Sequence, residues 1–292
     1  MALAFMAAAP AGAQTTAEAV TETGASALLE KHAALAGRLA QNPYHRPLVL
    51  ESSETPNMVK GHAYAVLDAP FNTVSTTFKS PPLWCEVLIL HLNTKYCHAS
   101  ANSSPSVLMV NIGKKTPQEI KDAFALEFNY RLGVATPGYL ATQLHAEKGP
   151  LSTSNYRIEL EAVPLPGGKT FMHLGYSYGY GAVGRLAMQA YLSSLGSGKV
   201  GFTKVPGQQG EEAAYIGGMR GAVERNTMRY YLAIEAYLSS LSQAPAQQFN
   251  TRLQLWFDAT EAYPRQLHEL DKDSYVTMKK AEYQRQQGTT PG

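Results

Sequence analysis

The sequence predicts an α+β protein in which an antiparallel, β-rich stretch is followed by helices. Residues 156–163 carry the clearest signal, with Tyr156, Ile158, Leu160 and Ala162 opposing Arg157, Glu159 and Glu161. That period of two gives a strand with one dry face and one wet face, as in an antiparallel sheet. Pro166-Gly167-Gly168 supplies a hairpin turn, and 170–180 returns with Met172, Leu174, Tyr176, Tyr178 and Tyr180 on one side. Met188, Tyr191, Leu192 and Leu195 then follow i, i+3, i+4, i+7 spacing, the stripe of an amphipathic helix.

The other elements follow in order. Residues 14–26 are small and polar and predict disorder. Leu28, His32, Leu35, Ala36 and Leu39 give a helix over 25–41, ended by Asn42-Pro43. Leu48 to Glu51 is a short strand. Residues 59–67 form another, with Val59, Gly61, Ala63, Ala65 and Leu67 opposite His62, Tyr64 and Val66. Pro70 opens a short helix carrying Val74 and Phe78, which Pro81-Pro82 stops. Strands are predicted at 94–99, 107–112 and 139–146, and at 123–132, where Phe124, Leu126, Phe128, Tyr130 and Leu132 share a face. Residues 196–210 read as a loop, and 219–242, 249–260 and 271–286 as helices, with Asp271 as a cap.

Composition bounds the function. Of 292 residues 45% are hydrophobic and 16% charged, which suits a sizeable core. A net charge of +2, with no basic block, gives no field for nucleic acid. No stretch reaches the roughly 18 apolar residues of a membrane span. The start, MALAFMAAAPAGAQTT, resembles the end of a secretory signal with an A-x-A site at Ala11-Gly12-Ala13. It predicts a periplasmic or secreted protein beginning near Gln14. The only cysteines, Cys85 and Cys97, are a disulfide candidate in such a compartment, and free thiols are the alternative.

Two segments match catalytic patterns. Gly175-Tyr176-Ser177-Tyr178-Gly179 fits G-x-S-x-G, but that elbow needs a sharp turn at the serine, and Ser177 falls inside a predicted strand. Asp258 and His268 are the acid and histidine such a triad would draw on. Gly179 to Gly184 fits G-x-G-x-x-G, but the acidic residue expected about 20 positions on is missing. His91 and His98 could face each other, yet no metal-ligand spacing occurs, and no metal or cofactor is predicted. His173 lies opposite the apolar stripe, on the wet face with Glu127, Arg131, Arg157, Glu159 and Glu161. Asn102-Ser103-Ser104 is a literal glycosylation acceptor.

The order of elements carries a resemblance. VKGHAYAVLDAPF passes from strand to short helix at Asp68 to Phe71, and Trp84 follows. Antiparallel strands then end in YRIELEAVPLPGGKTFMHLGYSY, and the helix VGRLAMQAYLSSL closes the set. Over 45–200 this resembles the START-like superfamily of lipid-transfer and polyketide-cyclase-like proteins. The resemblance implies a helix-grip fold, a curved antiparallel sheet wrapped around a long C-terminal helix, here with N- and C-terminal helical extensions. Around that stretch the organisation expected is a signal remnant over 1–13, an N-terminal helical segment over 14–44 and a C-terminal helical extension over 201–292. The resemblance also implies a cavity between the sheet and helix 183–195. Its walls would be Tyr130, Tyr156, Ile158, Leu160, Met172 and Leu174, with Tyr176, Tyr178, Met188, Tyr191 and Leu192.

The function expected is binding or carrying a lipid or other apolar small molecule in that cavity. One alternative is a cyclase- or hydrolase-type enzyme using His173, Glu127 or Arg131 inside the cavity. Another is an interaction module, or a homo-oligomer, using the apolar stripes of 219–263.

Overall fold

The computed structural model describes residues 12–100, 106–194, 198–205 and 214–288, without the side chains of 12–22 and Tyr191. The chain opens with helix α1, Gly12–Ala40. Strands β1, Leu48–Thr55, and β2, Met58–Leu67, form a hairpin. Helices α2, Phe71–Phe78, and α3, Pro81–Leu88, lead to β3, Thr94–Ala99, and β4, Val107–Ile112. A meander continues through β5, Phe124–Thr136, β6, Tyr139–Lys148, β7, Thr153–Leu165, and β8, Lys169–Tyr180. Helices α4, Ala182–Ser194, α5, Gly218–Ser240, α6, Pro245–Glu261, α7, Pro264–Leu267, and α8, Lys272–Gln287, complete the described chain.

The strands form one antiparallel sheet in the order β1-β2-β8-β7-β6-β5-β4-β3, curved but not closed into a barrel. The last strand returns to pair with β2, so the opening hairpin extends the meander along one edge. Gly167 and Gly168 turn β7 into β8 with φ of 74° and 71°, a left-handed conformation that other residues adopt only with strain. The alternation at 156–163 matches the register, because Ile158 opposes Tyr176 and Leu160 opposes Leu174 on the same buried face.

The helix held in the concave face is α5, and here the sequence expectation is corrected. Helix 183–195 was expected in that place. The corresponding α4 lies toward the rim, with Val183 69% and Leu186 68% exposed. By contrast α5 packs on β1, β2 and β8 on one side and on α6 and α3 on the other. Its Met228, Tyr231, Leu232 and Ala233 are fully buried. Each large apolar side chain so buried contributes roughly 1.5–3 kcal/mol. The contact is closest at Gly61 of β2, where an added Cβ would overlap Thr227 Oγ1 and lie 3.3 Å from the Val223 carbonyl. Glu224, fully buried, anchors the first turns of α5. It accepts from Ser52 Oγ at 2.5 Å, Phe202 N at 2.6 Å and Thr203 N at 3.0 Å.

Other expectations also shift. Residues 14–26 are helical backbone of α1 rather than disordered. Helix α2 ends at Phe78, ahead of Pro81-Pro82 as expected, and these prolines then open a second helix, α3, since proline fits the first helical turn. Phe124 and Leu132 are exposed at the ends of the shared face of β5, and the β5–β6 register slips between Leu132 and Val134. The signal-like residues 1–11 and the acceptor Asn102 lie outside the described residues.

The apolar stripes of α5 and α6 are spent inside the chain, with Ile234, Leu253 and Trp256 buried. Helix α8 is capped by Asp271, which accepts from Ser274 N at 2.9 Å. It docks by a buried cluster in which Glu282 accepts from Lys95 at 3.0 Å and Lys279 at 2.6 Å. Among the described residues no helix is long and apolar enough to cross a membrane.

Candidate ligand-binding site

Between the concave sheet face and α5 lies a cavity of about 160 Å³. Its apolar side is formed by Val110 and Ile112 of β4, Leu126 and Phe128 of β5, and Ile158 of β7. Met188 and Leu192 of α4 close it from the rim. Helix α4 can approach because Gly184 has no side chain, and a Cβ there would lie 2.6 Å from the Ser152 carbonyl.

An aromatic wall runs along the cavity. Tyr178 and Tyr156 stack at 5.1 Å between centroids, Tyr176 meets Tyr230 edge-on at 5.3 Å, and Tyr230 meets His91 at 4.9 Å. Burial raises the pKa of Tyr176, Tyr178 and Tyr230, and that of Tyr156 to about 12. The wall therefore stays protonated and offers hydroxyl donors to an otherwise apolar space.

Of the wall residues expected from sequence, Tyr156, Ile158, Tyr176, Tyr178, Met188 and Leu192 line the cavity. Leu160, Met172 and Leu174 are fully buried on the same face but lie away from the cavity, in a part of the core where β7 and β8 meet α2. Tyr130 is structural, its hydroxyl donating to the carbonyls of Phe78 at 3.1 Å and Lys79 at 3.0 Å. The side chain of Tyr191 lies outside the described residues.

The polar end was missed in sequence. Helix α5 contributes Ala222, Arg225, Asn226, Arg229 and Tyr230. These follow the i, i+3, i+4, i+7, i+8 rhythm of one helix face, a signal legible in a polar rather than an apolar stripe. Arg225 donates to the Val200 carbonyl at 3.1 Å. Arg229 donates to Glu269 at 2.8 Å, and Lys115 reaches the same carboxylate at 2.5 Å. Lys199 stands 3.6 Å from the other oxygen of Glu269. Burial lowers the Lys115 pKa to about 8, helped by neighbouring Arg229. Burial pushes the Glu269 carboxyl up, but Arg229 and Lys115 outweigh it and hold it below its ordinary range.

His91, in the turn between α3 and β3, is buried and lines the cavity. The backbone N–H of Asn93 donates to its Nδ1 at 3.2 Å, which assigns the ring proton to Nε2. Burial first, then the charges of Arg229, Lys279 and Lys115, keep the ring neutral by holding its pKa well below the usual value. Its Nε2 is buried and has no hydrogen-bond partner. Asn226 lies close enough to influence both His91 and Tyr176, although no hydrogen bond to Nε2 closes. Cys85 of α3 and Cys97 of β3 form a disulfide with a Cα–Cα distance of 5.2 Å, tying together the two elements that flank His91.

The expected catalytic alternatives do not meet here. His98 is exposed on β3 and does not face His91. Glu127 and Arg131 are exposed on the convex face of the sheet. His173 is on that face too, but it is not solvated as expected, because α1 packs over the same strands. It binds His62 at 2.9 Å and Glu161 at 2.9 Å. Ser177 sits in mid-strand, paired with Lys60 and Arg157, with no elbow. Asp258 is ion-paired with Lys272, and the Nδ1 of His268 meets the Glu261 carboxylate at 2.9 Å. Among the described residues, no group of His, Cys, Asp or Glu is placed to hold a metal.

No protein-family model and no curated protein matches the sequence. Solved structures similar to the chain include norcoclaurine synthase from Thalictrum flavum, 12% identical with a TM-score of 0.36. That likeness covers 49% of this chain and 91% of the synthase. Human StAR-related lipid transfer protein 5 is 11% identical with a TM-score of 0.32, covering 62% of this chain and 90% of its own. Human STARD10 is 8% identical with a TM-score of 0.31, covering 57% and 75%. Strand order, sheet curvature and the helix held in the concave face give this chain a helix-grip fold.

Proposed function

We propose that the protein binds and carries a small apolar molecule in the cavity between the concave sheet face and α5. The observation that carries this reading is the wall itself. Ile112, Leu126, Phe128 and Ile158 face a row of tyrosines across unfilled space. Protein interiors pack densely, so a space of this kind lined by apolar groups is costly unless something occupies it. Size narrows the ligand. A volume of about 160 Å³ is below the roughly 300 Å³ of drug-sized sites. It is near the roughly 150 Å³ of an engineered cavity that takes benzene. A ring-sized or short-chain molecule fits better than a whole lipid.

Export is part of the same proposal. The Cys85–Cys97 disulfide supports an oxidising compartment, and the Ala-rich start supports a secretory signal.

Titration calorimetry with 4-phenylbutanol tests the cavity reading. The protein should bind one molecule with a Kd on the order of 1 mM or tighter, given the efficiency of small ligands. Leu192→Trp places a larger ring at the half-buried rim of the cavity. It should weaken binding at least about tenfold by filling that space, with the melting temperature kept. Absence of saturable binding to the unmodified protein would sink the reading.

A further inference from the structure

The cavity has a chemically distinct end, and that end specifies more than an apolar guest. Lys115, Lys199, Arg225 and Arg229 all line it, and no acidic residue does among the described residues. Three of these cations, Lys115, Arg229 and Lys199, gather around the single carboxylate of Glu269. His91 adds the decisive feature. It is 97% buried by its 3% exposure, its Nδ1 is occupied by the Asn93 backbone, and its Nε2–H has no partner. A buried donor left unsatisfied is costly, and native structures pair nearly all such groups. An unpaired N–H beside an apolar chamber, with Lys115 and Lys199 sharing one carboxylate with Arg229, is a setting that suits an anionic oxygen.

We propose that the cavity selects a carboxylate-bearing amphiphile, with the carboxylate accepting from His91 Nε2–H beside Lys115 and Arg229 and the apolar body lying along the tyrosine wall. This rests on the cavity reading above and deepens it. The roles divide by chemistry. The neutral imidazole gives a directed hydrogen bond, the two cations give charge, and Val110, Ile112 and Leu126 accept a ring or short chain. Asn226 lines the same end of the cavity and adds a polar amide there. Burial first, then the charge of Arg229, lower the basicity of Lys115, and an anion beside both would offset the second of these.

The test pairs two probes of the same shape, 4-phenylbutyrate and the neutral 4-phenylbutanol, measured by calorimetry at neutral pH. The acid should bind about 10- to 100-fold more tightly, the ratio expected for a charge-assisted hydrogen bond in a site shielded from water. That preference should fall to within about threefold in Lys115→Met and in His91→Phe, whereas His91→Gln, which keeps an N–H donor, should retain part of it. If His91→Phe does not fold, Lys115→Met and the wild-type ratio still decide the matter. Equal binding of acid and alcohol overturns the carboxylate inference and leaves the cavity reading standing. If neither probe binds, the cavity reading falls and this inference falls with it.

Discussion

The packing of α5 on β2 turns on Gly61, and Gly61→Ala probes it with a single methyl group. The residue sits in mid-strand, paired with Ser52 and Tyr176, on the same face as buried Val59 and Ala63. Its backbone conformation accepts alanine, so the substitution alone should gain about 0.4–1 kcal/mol from the unfolded chain. Packing opposes that. The new Cβ would overlap Thr227 Oγ1 and stand 3.2 Å from Thr227 Cβ and 3.3 Å from the Val223 carbonyl. Thr227 cannot swing away easily, because it is fully buried and its hydroxyl donates to Val223 O at 2.8 Å. Overpacking of this kind costs about 1–3 kcal/mol, so the net loss should be roughly 1–2 kcal/mol. In a Thr227→Ala background the overlapping atom is gone, and the remaining contacts ask only for shifts of a few tenths of an ångström. There Gly61→Ala should be neutral or slightly stabilising, a coupling of about 1–2 kcal/mol. Guanidinium unfolding followed by circular dichroism, with m checked for constancy, measures all four corners of the cycle. Gly37→Ala on exposed α1, with nothing within 4 Å of its Cβ, is the control; it should stabilise by roughly 0.5–1 kcal/mol. Equal cost of Gly61→Ala in both backgrounds would refute the placement of α5.

The disulfide and the buried bases give further expectations. Cys85 and Cys97 are 12 residues apart, so replacing both with alanine should cost about 3 kcal/mol by loop-closure entropy. It should also weaken 4-phenylbutyrate binding, because the turn bearing His91 loses a tether; unchanged affinity would detach the disulfide from the site. Lys115 and Lys279 are each lowered from 10.5 to about 8 in the fold, chiefly by burial. Lys279 faces Glu282 and Lys95, and Lys115 faces Arg229, Glu269 and Arg225. The unfolded chain then binds more protons between about pH 8 and 10.5, so stability rises with pH across that window. Tyr130 and Tyr156 work in the opposite sense. Burial raises them from 10.0 to about 12, so stability falls as pH climbs past 10.0 and the unfolded tyrosines ionise first. Unfolding midpoints should therefore peak between about pH 9 and 10. A steady decline from neutral pH upward would contradict the burial of these lysines.

Where one face of an element is dry and the other wet, the sequence was legible. The faces of β7 and β8 followed directly from alternation, which put Tyr156, Ile158, Tyr176 and Tyr178 on the buried side. Helix α5 was not legible as the gripped helix because it is buried on both sides. A helix enclosed by a sheet and another helix needs no single apolar stripe, and its charged Glu224, Arg225 and Arg229 are satisfied by distant segments around 200–203 and 267–269. Helix 183–195 offered the cleaner stripe for the converse reason, as it lies at the rim with one face exposed. His173 was misjudged because the strand pattern does not reveal that α1 lies across the outer face. His91 could not be found from spacing, since its meaning comes from an unpaired nitrogen and from cations brought together from α5, Lys115 and Lys199.

The central claim is that a small apolar molecule occupies the space between the concave sheet face and α5. Methyl NMR during titration with 4-phenylbutanol tests it most directly, with the Met188 and Ile158 methyl groups at the cavity wall as reporters. Met109, 38% exposed on β4, serves as a reporter outside the cavity. The account predicts saturable shifts at Met188 and Ile158 along one binding curve, with Met109 unmoved. Shifts at Met109 alone, or no saturable change at Met188 and Ile158, would contradict it.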